Sequence, residues 1–186
     1  MKAFKISLLA SLILLPIAVS AHAADLDPEA ATGNNEAMGL YLRGDLGWSF
    51  LDWSGGSDDS ALSLGGGVGY QFNENMRTDL TVDWTGDYSV APGADMSTTT
   101  VLGNLYFDWA NDSAFTPYVG AGLGYGSVSD TPTGDHSGLA YGLTAGVAMG
   151  LTDNIALDLG YRFRDTLISG SDPTEHQIVA GVRFSF

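Results

Sequence analysis

The sequence predicts an all-β protein, an eight-stranded antiparallel transmembrane up-and-down β-barrel, and three observations predict it. From Leu40 onward, apolar residues recur with period two in eight successive segments, each about as long as a tilted membrane-crossing strand needs to be. The connections between those segments alternate between short and long. Beyond the N-terminal segment, no apolar run approaches the roughly 20 residues of a transmembrane helix, so a mature chain that enters a membrane enters as strands.

The elements follow in order. Lys2 and Lys5 supply a positive region, Ile6 to Val19 an apolar stretch and Ala21-His22-Ala23 a small-residue cleavage site, which predicts a signal peptide over residues 1–23 cut after Ala23. Ser7, Ser11 and Pro16 interrupt a run that is already short for a membrane span. Residues 24–38 carry Asp25, Asp27, Pro28, Glu29, Gly33, Asn34, Asn35 and Glu36 with no apolar period, and read as an acidic, flexible periplasmic leader. The barrel is expected over residues 39–186.

The first strand sets Leu40, Leu42, Leu46, Trp48 and Phe50 against Tyr41, Arg43, Asp45 and Ser49, without a slip. In the second, Leu62, Leu64, Val68, Tyr70 and Phe72 oppose Ser63, Gly65, Gly67, Gly69 and Gln71. The third places Met76, Thr78, Leu80, Val82 and Trp84 opposite Arg77, Asp79, Thr81, Asp83 and Thr85. The fourth, the least regular, has Val101, Gly103, Leu105 and Phe107 against Thr100, Leu102, Asn104, Tyr106 and Asp108. The fifth alternates Pro117, Val119, Ala121, Leu123 and Tyr125 with Tyr118, Gly120, Gly122, Gly124 and Gly126. The sixth alternates Leu139, Tyr141, Leu143, Ala145, Val147 and Met149 with Gly142, Thr144, Gly146 and Gly150. The seventh opposes Ile155, Leu157, Leu159, Tyr161 and Phe163 to Asp158, Gly160, Arg162 and Arg164, and the eighth opposes Ile178, Ala180, Val182, Phe184 and Phe186 to Glu175, Gln177, Gly181, Arg183 and Ser185.

Short turns are expected at Asn73-Glu74-Asn75, Asn111-Asp112-Ser113 and Thr152-Asp153-Asn154, and longer loops over roughly 51–60, 86–95, 128–137 and 165–173. In outer-membrane barrels the short turns are periplasmic and the long loops extracellular, and an even strand count then puts both termini in the periplasm.

Period two alone does not say which face meets lipid, because a soluble barrel alternates in the same way with its apolar face inward. The charges decide. The formal net charge is −15 with 22 Asp and Glu, the balance opposite to that of a nucleic-acid binder. No cysteine is present to staple the fold. Apart from Lys2 and Lys5 the only basic residues are Arg43, Arg77, Arg162, Arg164 and Arg183, and all fall on the polar strand face with Asp45, Asp79, Asp83, Asp108, Asp158 and Glu175. A solvated exterior would also carry lysine. Arginine's planar fork suits close pairing in a confined bore, so these residues are expected to form a lumenal ion-pair layer. Aromatics on the apolar face cluster at strand ends: Trp48, Phe50, Trp84, Tyr125, Tyr141, Tyr161 and Phe163 toward the long loops, and Tyr70, Phe72, Phe107, Trp109, Phe115, Phe184 and Phe186 toward the short turns. They are expected to form two interfacial girdles.

Pro117-Tyr118-Val119-Gly120-Ala121-Gly122-Leu123-Gly124, Asp158-Leu159-Gly160-Tyr161-Arg162 and Gly181-Val182-Arg183-Phe184 resemble the strand motifs of the OmpA-like surface-antigen barrels often labelled "porin family". The resemblance spans about Gly39 to Phe186 and bears on fold. The terminal alternation of Val182, Phe184 and Phe186 resembles the signal such barrels present to the barrel assembly machinery. The resemblance therefore implies that machinery as a partner in biogenesis, outer-membrane lipids and lipopolysaccharide as surroundings, and the outer membrane as location. A full OmpA protein continues into a peptidoglycan-binding domain, which is not seen after the last expected strand.

Some eight-stranded barrels modify lipid A, a chemistry that calls for a Ser, His and carboxylate set. His136 lies beside Asp135 and Ser137, but adjacent residues of an extended segment point apart. His176 follows Glu175, with Ser169 and Ser171 in the preceding loop. Neither makes a catalytic set by sequence. Asp52, Asp58, Asp59, Asp87, Asp95, Asp130, Asp135, Asp165 and Asp172, all placed in the long loops, lack the spacing of a known calcium loop. Eight strands leave a bore that side chains fill, which disfavours a wide pore. The expected function is thus a non-enzymatic surface barrel that supports envelope integrity and displays loops, with no cofactor or metal. A narrow gated pore for small ions is the alternative, and a lipid A-modifying enzyme comes third.

Overall fold

The computed structural model describes residues 38–52, 59–91, 94–130, 134–167 and 174–186. The signal segment, and the leader up to residue 37, lie outside them. Eight strands run β1 (Gly39–Asp52), β2 (Asp59–Asn73), β3 (Met76–Ala91), β4 (Ala94–Asp108), β5 (Phe115–Asp130), β6 (Gly134–Gly150), β7 (Ile155–Leu167) and β8 (Thr174–Ser185). Each pairs antiparallel with the next, and β8 returns to β1 in a register running from Tyr41↔Ser185 to Asp52↔Thr174, closing the barrel. Closure leaves no sheet edge, the condition for a strand structure to stand in hydrocarbon.

The alternation read from the sequence becomes an inside-out distribution. Leu46, Leu64, Leu123 and Leu159 are each about three-fifths exposed, whereas Arg77, Arg164, Thr85, Thr100 and Gln177 are at most 1% exposed. A soluble barrel would reverse this. β4, the least regular strand by sequence, alternates cleanly, with Val101, Leu105 and Phe107 exposed and Leu102, Asn104, Tyr106 and Asp108 buried.

The three short connections are built on asparagines. Asn75 accepts a backbone bond from Asp108 on its carbonyl, while its side-chain amide donates to the Asp108 carbonyl, both at 2.9 Å. Asn111 Nδ2 spans its turn to the carbonyls of Trp109 (2.9 Å) and Phe115 (3.0 Å), and Asn154 Nδ2 reaches the Ser185 carbonyl at 2.9 Å. These side chains supply donors that a tight turn cannot supply from its own backbone.

The long connections are shorter than expected. Strand continues through most of 86–95 and 128–137, with Ser89↔Asp95, Met96↔Asp130 and Ser129↔Asp135 as paired positions, and β7 runs on to Leu167. Of the nine aspartates assigned to loops, seven therefore lie in strands, and Asp58 and Asp172 fall outside the described residues. Ladder hydrogen bonds carry a hairpin beyond the point where apolar alternation stops, which composition does not reveal.

Candidate functional site: the filled lumen and the lipid-facing wall

The narrow bore brings inward side chains from six strands into one polar network. At the short-turn end, the Arg77 guanidinium is stacked between two rings, 4.1 Å from the centroid of Tyr106 and 4.8 Å from that of Tyr118. Its Nε donates to both Asp108 oxygens at 2.9 and 3.1 Å. Arg183 Nε donates to Asp158 Oδ2 at 2.7 Å.

Midway along the axis, Arg43 grips Asp45 with Nε (3.0 Å) and Nη2 (2.9 Å), and gives Nη1 to Asp79 Oδ2 (2.8 Å) and to the Tyr106 hydroxyl (3.0 Å). Asp79 also accepts from the Tyr41 hydroxyl at 3.1 Å and from Asn104 Nδ2 at 2.8 Å. Asp45 is shared with Arg162 at 3.5 Å, and Arg162 in turn holds Asp83 at 2.7 Å. Toward the long-loop end Arg164 bridges Asp83 and Glu175, each at 3.4 Å. Gln177 Nε2 then donates to Glu175 Oε2 and Thr85 Oγ1, also at 3.4 Å. A continuous line of alternating sign results: Asp79, Arg43, Asp45, Arg162, Asp83, Arg164, Glu175.

All eleven residues expected in a lumenal layer are thus inside, none more than 8% exposed. Charges so withdrawn from water persist because each meets its opposite at hydrogen-bond distance; removing one partner of such a pair typically costs about 3 to 5 kcal/mol. Sequence reasoning did not assign the tyrosines of this core a role. Tyr41, Tyr106 and Tyr118 sit at polar-face parity, and that parity was the available signal.

Opposite these residues the wall is nearly bare. Inward positions of β5 and β6 from Tyr118 to Val128 and from Gly138 to Ala148 carry no charge, and glycine occupies Gly120, Gly122, Gly124, Gly126, Gly142 and Gly146. The space is taken from across the strands. A Cβ on Gly120 would run into the Tyr106 ring, and one on Gly146 would lie 2.5 Å from the Leu159 carbonyl and 2.6 Å from the Tyr118 hydroxyl.

On the outer face, Trp48, Phe50, Trp84, Tyr125 and Tyr161 stand exposed toward the long connections, and Tyr70, Phe72, Phe107 and Trp109 toward the short turns. Phe163 and Tyr141 are less exposed than the other girdle residues. Both are half-buried: His176 packs edge-on against Phe163 at 5.5 Å between centroids, and Tyr141 lies 6.2 Å from Phe163. Val182, Phe184 and Phe186 point outward on β8 and just beyond it, Phe184 meeting Phe186 edge-on at 5.2 Å.

The histidines are not brought together. His136 sits opposite Val128 near the top of β6, and Ser137 is engaged with the Tyr125 hydroxyl at 2.7 Å. His176 is on the outward face of β8, hydrogen-bonded through Nδ1 to the Tyr161 hydroxyl. Among the described residues, no three His, Asp or Glu side chains converge as a metal site.

The family model for the outer membrane protein beta-barrel domain matches residues 10–186. An uncharacterised protein of Brucella abortus is 31% identical over 67% of this chain and 67% of its own, and one of Brucella suis aligns equally. Among solved structures, Neisserial surface protein A superposes with a TM-score of 0.71 at 23% identity, covering 79% of this chain and 97% of that one. Ail, the attachment invasion locus protein of Yersinia pestis, superposes with a TM-score of 0.53 at 16% identity, covering 80% and 100%. At these identities the two structures bear on the fold.

Proposed function

The chain belongs to the outer membrane protein β-barrel domain family, and from that premise we propose that it is a non-enzymatic structural barrel of the outer membrane, closed to solutes and supporting the envelope while displaying its long connections outside. The observation that carries this reading is the filled lumen, in which the line from Asp79 to Glu175 and the Arg77 stack occupy the bore across its width. Eight strands enclose little more than their own side chains, so what fills the bore also seals it. In this reading the short asparagine turns face the periplasm, and lipopolysaccharide and outer-membrane phospholipid surround the aromatic tiers. The outward Val182, Phe184 and Phe186 are the surface read by the barrel assembly machinery.

The test is conductance. Purified protein reconstituted in planar bilayers should give no discrete ion current above the leak of empty membranes, and steady small-ion steps would overturn the closed reading. Lipid A mass spectra from cells with and without the protein should be identical; a mass change equal to loss or gain of an acyl chain would replace the structural reading with an enzymatic one.

A second reading, a narrow gated pore for small ions, is favoured by one observation. Toward the long-loop end the contacts of Arg164 and Gln177 lengthen to 3.4 Å, and Arg164 Nε lacks a hydrogen-bond partner among the described residues. Such spacing suits a hydrated layer. Current that rises in Arg164→Ala while wild type stays silent would place the gate there.

A further inference from the structure

The outer rim of the barrel is chemically divided. Over β1–β3 its outward residues include Trp48, Phe50, Leu62 and Trp84. Over β5–β8 three tyrosine hydroxyls each meet an outward polar side chain of the neighbouring strand: Tyr125 with Ser137, Tyr141 with Asp165 and Tyr161 with His176. The last two pairs are joined by Phe163, which touches both Tyr141 and His176, so Tyr141, Asp165, Phe163, His176 and Tyr161 form one patch on adjacent strands. A carboxylate and an imidazole in a lipid-facing belt are unfavourable unless something polar meets them there. Tyr141 donates to Asp165 Oδ2 at 2.8 Å, but Asp165 Oδ1 has no hydrogen-bond partner among the described residues.

The patch has a defined depth. Along β8 from Phe184, in the tier at the short-turn end, to His176 the axial rise is about 20 Å, taking ~3.3 Å per residue and a tilt near ~40°. Against an apolar band about 25 Å tall, that separation puts the patch in the outer aromatic tier, just beneath the lipid headgroups. Among the described residues no Lys or Arg stands on the outward face, since every arginine is in the lumen, so a phosphate has no direct counter-charge on this wall. What the patch offers instead is an acceptor-only carboxylate, groups that can donate or accept on His176 and Tyr161, and aromatic faces beside them. Hydroxyl groups both donate and accept, and the apolar faces of sugar rings stack on aromatics. An ammonium headgroup only donates, so it could meet the acceptors of the patch but would leave the donors on His176 and Tyr161 without an acceptor and could not use the rings for sugar stacking.

We propose that this patch is a binding site for the saccharide headgroup of an outer-leaflet glycolipid, with Phe163 and Tyr161 as the stacking surface and Asp165 and His176 as the hydrogen-bonding pair. The site rests on the placement of the barrel in the outer membrane and is independent of whether the lumen conducts.

The experiment compares barrels refolded into phosphatidylcholine vesicles with barrels in the same vesicles containing deep-rough lipopolysaccharide, diphosphoryl lipid A, monophosphoryl lipid A or phosphatidylethanolamine. The readout is the midpoint of heat-induced loss of the compact electrophoretic form. Lipopolysaccharide and both lipid A forms are expected to raise the wild-type midpoint by the same several degrees, and phosphatidylethanolamine to leave it unchanged. Asp165→Asn with His176→Phe should lose at least half of that rise, Tyr161→Phe a smaller share, and Trp84→Phe on the opposite arc none. A rise that depends on phosphate number, that phosphatidylethanolamine reproduces, or that the double variant retains in full overturns the site. A second measurement needs no variant: cross-relaxation between glucosamine ring protons and the aromatic protons of Phe163 or His176 in nanodiscs. Its presence supports the site and its absence sinks it, while conductance measured on the same preparations reports separately on the closed-lumen reading.

Discussion

The two walls of the lumen solve one packing problem in opposite ways. Strands β1, β3, β7 and β8 send arginines and carboxylates across the bore, and the β5–β6 hairpin answers mostly with glycine and alanine, uncharged and short apart from one tyrosine. The difference teaches that an eight-stranded barrel cannot be lined by long side chains all round. Arg43 reaches Asp79 over Gly67 and Gly69 of the intervening β2, and the Tyr106 ring that Arg77 covers takes the space where Gly120 of β5 has no side chain. The charged wall supplies the attraction, and the bare wall supplies the volume in which it operates.

Four substitutions test that division, in falling order of expected effect on stability in lipid vesicles. Arg43→Ala withdraws the partner of both Asp45 and Asp79 and should lower unfolding free energy by about 3 to 5 kcal/mol, read as the midpoint of urea unfolding against Asp112→Ala in an exposed turn. If Arg43→Ala matches that control, the charged wall is hydrated and the packed network is wrong. Gly146→Val drives a side chain toward the Leu159 carbonyl and the Tyr118 hydroxyl, for a loss of about 1 to 3 kcal/mol; a neutral result would show spare volume where the structure has none. Arg164→Ala breaks only contacts of 3.4 Å and leaves Asp83 held by Arg162 and Glu175 by Gln177, so although Arg164 is buried it should cost about 1 to 3 kcal/mol, below Arg43→Ala. Equal losses at the two arginines would remove the distinction between the tight middle of the lumen and its looser long-loop end. Gly126→Ala brings a methyl to 2.8 Å from both terminal atoms of the buried Thr166, which must turn away from its rotamer, and should cost about 0.5 to 1.5 kcal/mol; a gain in stability would show that the two strands are loosely packed there.

Much of the architecture was legible because period two is a strict rule: once every arginine falls on one parity, the inward face follows, and with it the burial of Arg77 and Arg183. The pairings were not legible. Arg43 takes one partner two residues along its own strand and another from β3, and Arg162 reaches Asp83 across the lumen; those choices depend on the register of a closed sheet. The extent of the strands escaped as well, because Val128, Ser129 and Asp135 fall in a segment that composition reads as loop, while Ser129 is paired with both Ser97 and Asp135 and Val128 with Thr98. The outer patch was hidden for a related reason. Asp165 was counted with the loops, yet as the cross-strand partner of Tyr141 it stands on the barrel's outer wall.

The sharing of anions along the lumen bears on how such a sequence can drift. Asp45 serves Arg43 and Arg162, and Asp83 serves Arg162 and Arg164, so between the two ends of the line no charge is the private property of one pair. A substitution at one link leaves its neighbour with an unmet charge, and a reversal of sign there would demand another at the next link. Lineages descending from such a barrel should therefore change these positions in concert or hold them together, while the glycines facing them are free to vary only after a bulky partner has first shrunk.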